Sequence, residues 1–166
     1  IQTLGTAFIA ISTSGRSDAL KEAGATITPH KESEYFRMLA AGEATAIATS
    51  LPPPFENFMV GGGKHAQLRV EQDFTIQATG PLVVGQFMPS QEEVGIPSSL
   101  PGGDPSFIVL PPVEQFRKEY LFLTPDKYAF DFIAVAAPRG ARVKLDGREL
   151  KPGKVAGPGP RLTCTR

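Results

Sequence analysis

The sequence predicts an all-β fold, an antiparallel β-sandwich module followed by the start of a second module. The 166 residues include 17 glycines and 16 prolines, a share typical of many strands joined by turns. About ten or eleven short segments with strand-like patterns recur at regular spacing between these turns. The 41% apolar content is sufficient for a hydrophobic core. Propeller-like blades of four strands are the alternative, because repeated strand orders suit both architectures.

The first elements are predicted as a strand, a helical turn and a second strand. Residues 8–11 are a short apolar run that Ser and Gly residues close. Residues 17–24 are predicted as one or two helical turns, with Ser17 as the N-cap and Gly24 as the C-terminal stop, and a loop turn is the alternative. Residues 25–28 are predicted as a strand that a proline ends.

Alternating patterns in the middle of the chain predict two β-hairpins and a strand pair. The first hairpin joins residues 35–40 and 44–49 through Gly42 and Glu43. The second joins residues 58–60 and 66–70 through the glycine-rich residues 61–64. The strand pair consists of residues 74–78 and 82–87, separated by a turn at Gly80 and Pro81.

The C-terminal half begins with a long polar segment, residues 89–104, predicted as a surface loop of the kind that often carries function. Residues 107–110 are predicted as a buried strand, and residues 113–119 as a helical turn. Three further strands are predicted over residues 120–124, 130–136 and 141–145, the last ending at an Asp146-Gly147 turn.

A weak internal repeat relates the two parts of the chain. Residues 4–9 resemble residues 117–122, and residues 35–40 followed by 44–47 resemble residues 130–135 followed by 141–144. We therefore predict a first β module over residues 1–112 and the beginning of a second over 113–166, with one continuous domain over 1–166 as the alternative. Because residue 1 is Ile and the second copy stops early, we expect a piece of a longer protein with an open sheet edge.

Charge is balanced overall and uneven locally. There are 17 basic and 17 acidic residues, so bulk charge does not indicate a nucleic-acid partner. From Arg139 onward, eight basic residues stand against two acidic ones, a net charge of +6. This segment is either a solvated surface or an electropositive edge for an acidic partner or another module.

No enzyme signature emerges, and we expect no cofactor and no metal. The glycine run before Lys64 lacks the phosphate-loop spacing, and His30 and His65 have no second ligand at metal spacing. One cysteine, Cys164, makes neither a disulfide framework nor a Cys-based zinc site. The acidic pairs Glu92–Glu93 and Glu114–Glu119 show no cleft across which they could act. No apolar run approaches the length of a transmembrane segment.

A resemblance to a known family rests on a series of motifs in a fixed order. They are Gly103-Asp104-Pro105-Ser106-Phe107, residues 110–116, residues 120–125, Tyr128, residues 136–138 and residues 143–147, preceded by residues 74–87. The series resembles the C-terminal portion of the IgGFc-binding protein N-terminal domain family.

That resemblance implies a non-catalytic β domain at the cell surface or outside the cell. It implies a protein or glycoprotein ligand, Fc-like or mucin-like, bound by residues 89–104 or by the basic C-terminal face. The alternative is a structural spacer repeat whose partners are neighbouring modules. The motif residues expected to serve binding or structure are Asp104, Pro105, Glu114, Gln115, Tyr128, Asp146 and Gly147.

Overall fold

The computed structural model describes residues 3–123, 132–138, 140–150 and 161–165. Within them it contains one α-helix, one 3₁₀ turn and eleven strands, so the predicted all-β class is confirmed. The strands are β1 (Gly5–Ala10), β2 (Glu34–Ala40), β3 (Thr45–Thr49), β4 (Asn57–Val60), β5 (His65–Val70), β6 (Phe74–Phe87), β7 (Phe107–Val109), β8 (Phe132–Ala136), β9 (Lys144–Leu145), β10 (Arg148–Glu149) and β11 (Arg161–Thr165); α1 is Arg16–Glu22 and the 3₁₀ turn is Val113–Gln115.

Strands β1 to β7 form one curled antiparallel sheet built around three long arms. The first arm is β2 followed by β3, the second is β4 followed by β5, and the third is β6. β2 pairs with β5 and β3 with β4, so the first two arms form one long bent hairpin. β6 runs along the other side of the first arm and pairs with both β2 and β3.

Both predicted hairpins are therefore wrong in their pairing, because the chain bends at the glycines instead of reversing. Backbone hydrogen bonds continue across the bend, from Ala40 N–H to Lys64 O at 3.0 Å and from Ala41 N–H to Pro81 O at 3.0 Å. The chain reverses between β3 and β4, whereas β5 and β6 both run antiparallel to β2, on its two sides. The predicted turn at Gly80 and Pro81 is also absent, since β6 is one strand of 14 residues.

The bend needs glycine where two backbones meet. A Cβ on Gly62 would lie 2.3 Å from the carbonyl oxygen of Gly42, far inside van der Waals contact. A Cβ on Gly80 would lie 2.7 Å from Oγ1 of Thr45. The arms have different numbers of residues at the bend: Leu39 and Ile47 are eight residues apart, whereas their partners on β6 are five residues apart. The extra residues of the first arm form the outside of the bend.

The bend folds the sheet over its own apolar side. Phe36 of β2 meets Phe74 of β6 edge-on, with ring centroids 4.9 Å apart. The buried core comprises Phe8, Ala10, Phe36, Met38, Ala40, Ile47, Leu51, Val60, Leu68, Val70, Phe74, Ile76, Ala78, Leu82, Val84 and Leu110. Every second residue of β2 is buried, which is the period expected of a strand with one face on a core.

A buried carboxylate closes one end of this core. Glu34 is 2% exposed and accepts hydrogen bonds from the backbone N–H and hydroxyl of Thr13 and from Nε2 of Gln86. Nε2 of Gln86 also donates to the carbonyl of Ile11. Since buried polar groups are costly unless bonded, this network fixes the chain as it leaves β1.

The flanking elements correct several further predictions. α1 confirms the predicted helix, but its N-cap is Gly15, while Ser17 is buried and bonds to the backbone of His30. Residues 25–28 and 120–123 are not strands. β7 is paired with β6 but exposed rather than buried, because it lies at the sheet edge.

The remaining strands form two small antiparallel pairs, β8 with β11 and β9 with β10. The Asp146-Gly147 turn is confirmed: both residues have positive φ, 48° and 79°, as a type I′ hairpin turn requires. The module boundary after residue 112 stays a prediction.

Substituting Gly62, which lies at the bend, should destabilise the domain. We expect Gly62→Ala to lower the free energy of unfolding by about 1–3 kcal/mol, because the added Cβ must push two backbones apart. Gly42→Ala is the matched control, since a Cβ there meets nothing within 4 Å, and should stay within about 0.5 kcal/mol. Urea unfolding of both variants measures this, and equal losses would refute the role of the close approach.

Candidate functional site

The outer side of the half-sheet β5–β2–β6–β7 is a continuous array of paired side chains. We call it the arginine–aromatic face. On β2, β5 and β6 its members alternate with buried residues and therefore point away from the core, and its members on β7 lie opposite Gly85 and Phe87 in the strand pairing. They are Tyr35, Arg37 and Leu39 on β2; His65, Gln67 and Arg69 on β5; Val83 and Phe87 on β6; and Phe107 and Val109 on β7.

Arg37 holds the centre of this face against an aromatic pair. Its Cζ lies 5.1 Å from the ring centroid of Phe87, and its Nη2 donates to Oε1 of Gln67 at 2.7 Å. Phe87 stacks on Phe107 with centroids 4.6 Å apart. Gly85 permits this, because a Cβ there would lie 2.7 Å from Cε2 of Phe107. The guanidinium and both rings are thus placed in advance of any ligand.

A second cluster forms the rim of the face beside the 89–104 loop. The hydroxyl of Tyr35 donates a hydrogen bond to Oε1 of Glu93. Cζ of Arg69 lies 5.8 Å from the Tyr35 ring centroid, and its Nη2 lies 3.9 Å from the same Glu93 oxygen. The hydrogen bond to Glu93, desolvation and the Glu93 charge raise the pKa of Tyr35, and the Arg69 charge partly offsets this.

The 89–104 loop, predicted as a ligand surface, is ordered by one amide side chain. Nε2 of Gln91 donates to the carbonyls of Pro97 and Leu100 at 2.7 and 2.9 Å, and its Oε1 accepts from Gly102 N–H. Ile96 is buried at 1% exposure. The loop therefore packs on the domain, and it contributes Glu93 to the rim of the face.

The motif residues predicted as sites lie in separate elements. Asp104 and Pro105 are exposed before β7, and Asp146 and Gly147 make the β9–β10 turn. Tyr128 lies outside the described residues. A binding role for these residues stays a prediction.

Glu114 and Gln115, in the 3₁₀ turn, have local bonds. Glu114 Oε1 accepts from the N–H and hydroxyl of Thr6 at 3.0 and 2.8 Å, which ties the turn to β1. Gln115 N–H donates to Pro112 O at 2.9 Å. Backbone hydrogen bonds, first from its own N–H and then from Thr6, lower the pKa of Glu114.

A shallow groove of about 410 Å³ lies between α1, the segment before it and the β5–β6 turn. Two of its acidic residues bond to the neighbouring backbone: Asp73 accepts from Ser12 N–H at 2.8 Å, and Glu32 accepts from Ser17 N–H at 2.8 Å. Glu32 also pairs with Arg16 at 3.1 Å. These bonds connect neighbouring segments of the chain. We therefore assign the candidate site to the arginine–aromatic face and not to this groove.

The residues of this face stand at alternating positions in the sequence, but those positions do not show which strands become neighbours. Tyr35 and Arg37 alternate on one strand and Gln67 and Arg69 on another. Only the pairing of β2 with β5 and β6 brings them together. Phe8, Phe36 and Phe74 are core residues, whereas Phe107, which the sequence predicted in a buried strand, is 55% exposed.

The face can bind by stacking, cation–π contact and charged hydrogen bonds. Arginine and aromatic residues are the side chains most enriched at the energetic centres of protein interfaces. In the described part of the chain, no group of three His, Cys, Asp or Glu side chains could hold a metal ion. In the same part, no helix is long and apolar enough to cross a membrane.

Comparison with known protein families gives a match over nearly the whole chain. The family model described as IgGFc binding protein matches residues 1–163. No curated protein and no solved structure gives a significant match.

Removing the Glu93 carboxylate should lower the pKa of Tyr35. In Glu93→Gln the phenolate no longer faces a negative charge, so it forms at lower pH than in the unchanged protein. Ultraviolet absorbance during an alkaline titration measures this, with Tyr35→Phe identifying the signal. Glu92→Gln is the matched control, and an unchanged titration in Glu93→Gln would contradict the contact.

The bonds of Glu114 should stabilise the fold only while its carboxylate is ionised. A lowered folded-state pKa contributes stability above the ordinary carboxyl pKa, and this is lost as pH falls through the folded value. Because Glu114 is exposed, we expect Glu114→Gln to cost less than about 1 kcal/mol at pH 7 and nothing at low pH. Thermal unfolding at several pH values tests this against Glu119→Gln; a loss that persists in acid would disprove it.

Proposed function

This chain belongs to the IgGFc binding protein family, and from that membership we propose that it is an extracellular, non-catalytic module that binds a protein or glycoprotein. The single observation that carries the proposal is the arginine–aromatic face. It provides a pre-arranged array of the side chains that dominate protein recognition.

The order already present in the face supports binding. Arg37 is held by Gln67 and Phe87, and Tyr35 is held by Glu93. Fixing side chains before association reduces the entropy that binding must overcome. Phe107, 55% exposed, supplies apolar area that a partner can bury.

The ligand that we propose is antibody Fc or a mucin-like glycoprotein, following the family. A competing location on the same chain is the basic C-terminal segment, where Arg142, Lys144 and Arg148 are exposed. The two locations differ in mechanism. Binding through dispersed basic residues would weaken strongly with salt, whereas a stacked aromatic contact would persist.

The second candidate function is a structural spacer in a surface or secreted protein. It is favoured by the exposed apolar run at residues 120–123, where Leu121 and Leu123 are 101% and 94% exposed. This function needs no soluble ligand.

Binding should be measured by flowing the full chain over immobilised antibody Fc and over mucin at two salt concentrations. We expect Arg37→Ala and Phe107→Ala each to weaken binding about tenfold or more. Met59→Ala is the matched apolar control, because Met59 is 64% exposed on β4, outside the face. Arg148→Ala tests the basic segment.

Two results would overturn the proposal. Binding that is lost in Arg148→Ala and retained in Phe107→Ala would move the site to the basic segment. If a chain with the circular dichroism spectrum of a folded β protein binds neither Fc nor mucin, the spacer function is favoured. Circular dichroism of each variant separates lost contact from lost fold.

A further inference from the structure

The rim of the arginine–aromatic face shows how a carboxylate binds to one of its arginines. Cζ of Arg69 lies 5.8 Å from the ring centroid of Tyr35. Nε of Arg69 donates to the uncharged Oγ of Ser33 at 2.7 Å, and its Nη2 lies 3.9 Å from Oε1 of Glu93. The Tyr35 hydroxyl donates to the same Glu93 oxygen. A ring and an uncharged acceptor thus position the guanidinium, and a carboxylate of the chain itself balances its charge.

Arg37, at the centre of the face, is positioned in the same way but has no carboxylate. Its Cζ lies 5.1 Å from the ring centroid of Phe87, and its Nε and Nη2 donate to the uncharged Oε1 of Gln67 at 3.2 and 2.7 Å. These bonds use one side of the planar guanidinium and leave the Nη1 side open. Among the described residues, no carboxylate oxygen lies within 4 Å of Arg37. Since Arg37 is exposed, an anion can reach it from the solvent.

The surface from Arg37 towards β7 is apolar. Arg37 lies opposite Gly85 in the strand pairing, and Gly85 lies opposite Val109. Phe107 and Val109 are 55% and 38% exposed. A carboxylate carried on methylene groups leaves no polar atom unpaired over such a surface, whereas sugar hydroxyls would lose hydrogen bonds to water there without gaining others. These surroundings therefore favour an acidic protein side chain over an acidic sugar.

We propose that Arg37 is the binding site for one acidic side chain, Glu or Asp, of a protein ligand. The carboxylate accepts hydrogen bonds from the open Nη1 side of the guanidinium, and an apolar side chain next to it in the ligand packs on Phe107. Hydrogen bonds between charged groups are the strong ones, and arginine is a frequent hot spot at interface centres. Glu93 on Arg69 is the same pairing within the chain. This assignment rests on the binding function proposed for the face and names what the face recognises.

Blocked dipeptides serve as probes, followed through the Nε–Hε nuclear magnetic resonance signals of the arginines in the full chain. Acetyl-Leu-Glu-amide should shift the Arg37 signal with a dissociation constant in the millimolar range, as expected of one small contact. Acetyl-Leu-Gln-amide, which lacks the charge, should bind about tenfold more weakly. Arg37→Lys identifies the signal by its loss. Arg148, which is exposed outside the face, is the reference arginine in the same spectra.

The variant Glu93→Ala tests whether the two arginines have equivalent surroundings. It removes the carboxylate from Arg69, so the glutamate dipeptide should now shift the Arg69 signal as well as that of Arg37. The loop should stay in place, because the hydrogen bonds of Gln91 hold it. Glu92→Ala, at the neighbouring exposed carboxylate, is the matched control and should leave the Arg69 signal unshifted.

Three results would overturn the carboxylate site. The first is an equal response of Arg37 and Arg148, or equal binding of the two dipeptides. The second is a folded Glu93→Ala chain whose Arg69 signal does not respond, because surroundings of this kind would then not select a carboxylate. The third is a stronger response of Arg37 to the methyl glycoside of N-acetylneuraminic acid than to the glutamate dipeptide, which would make an acidic sugar the ligand.

Failure of this site is distinguishable from failure of the binding face. If Arg37→Ala weakens binding to Fc or mucin while the dipeptides leave the Arg37 signal unchanged, the face binds its ligand without the carboxylate and the site is overturned. If the glutamate dipeptide shifts the Arg37 signal selectively and neither Fc nor mucin binds, the site is supported and the proposed ligands are wrong.

Discussion

The close approach of two backbones at the bend of the sheet is the constraint on which the rest of the structure depends. Gly62 lies against the carbonyl of Gly42, and all three long arms bend at this level. Because the arms bend together, one sheet covers both sides of its own core and Phe36 reaches Phe74. A flat sheet from the same strands would leave the alternating apolar residues of β2 open to water.

The strand register around the bend also determines which side chains lie on the outer side of the sheet. The register of β2 against β5 and β6 places Arg37 between Gln67 and Gly85. The missing side chain at Gly85 lets Phe107 lie over the backbone and stack on Phe87. The two glycines thus have different roles. Gly62 allows the close backbone contact at the bend, and Gly85 leaves space for the outer aromatic pair. The arginine–aromatic face is thus a consequence of sheet register.

Sequence reasoning succeeded where structure is local and failed where it is not. Alternation located β2, β3, β5 and β6, and the Asp146-Gly147 turn was predictable because positive φ at two successive residues favours Asp and Gly. Gly42 and the run at 61–63 were misinterpreted as reversals, since glycine suits a reversal and a bend equally well. The arginine–aromatic face was unpredictable because β2 meets β6 only after about 45 intervening residues.

Two exposed apolar side chains, Phe107 and Leu121, differ in their contacts. Phe107 is exposed but held, stacked on Phe87, which in turn lies beneath Arg37. A side chain held in this way while facing solvent is suited to recognition. Leu121 is fully exposed, whereas Phe8, its counterpart in the repeat, is a core residue. Exposure alone does not identify a recognition surface, because singly exposed apolar side chains are common on protein surfaces. The contacts that hold an exposed side chain in place, as at Phe107, therefore support the proposed binding face more than exposure does.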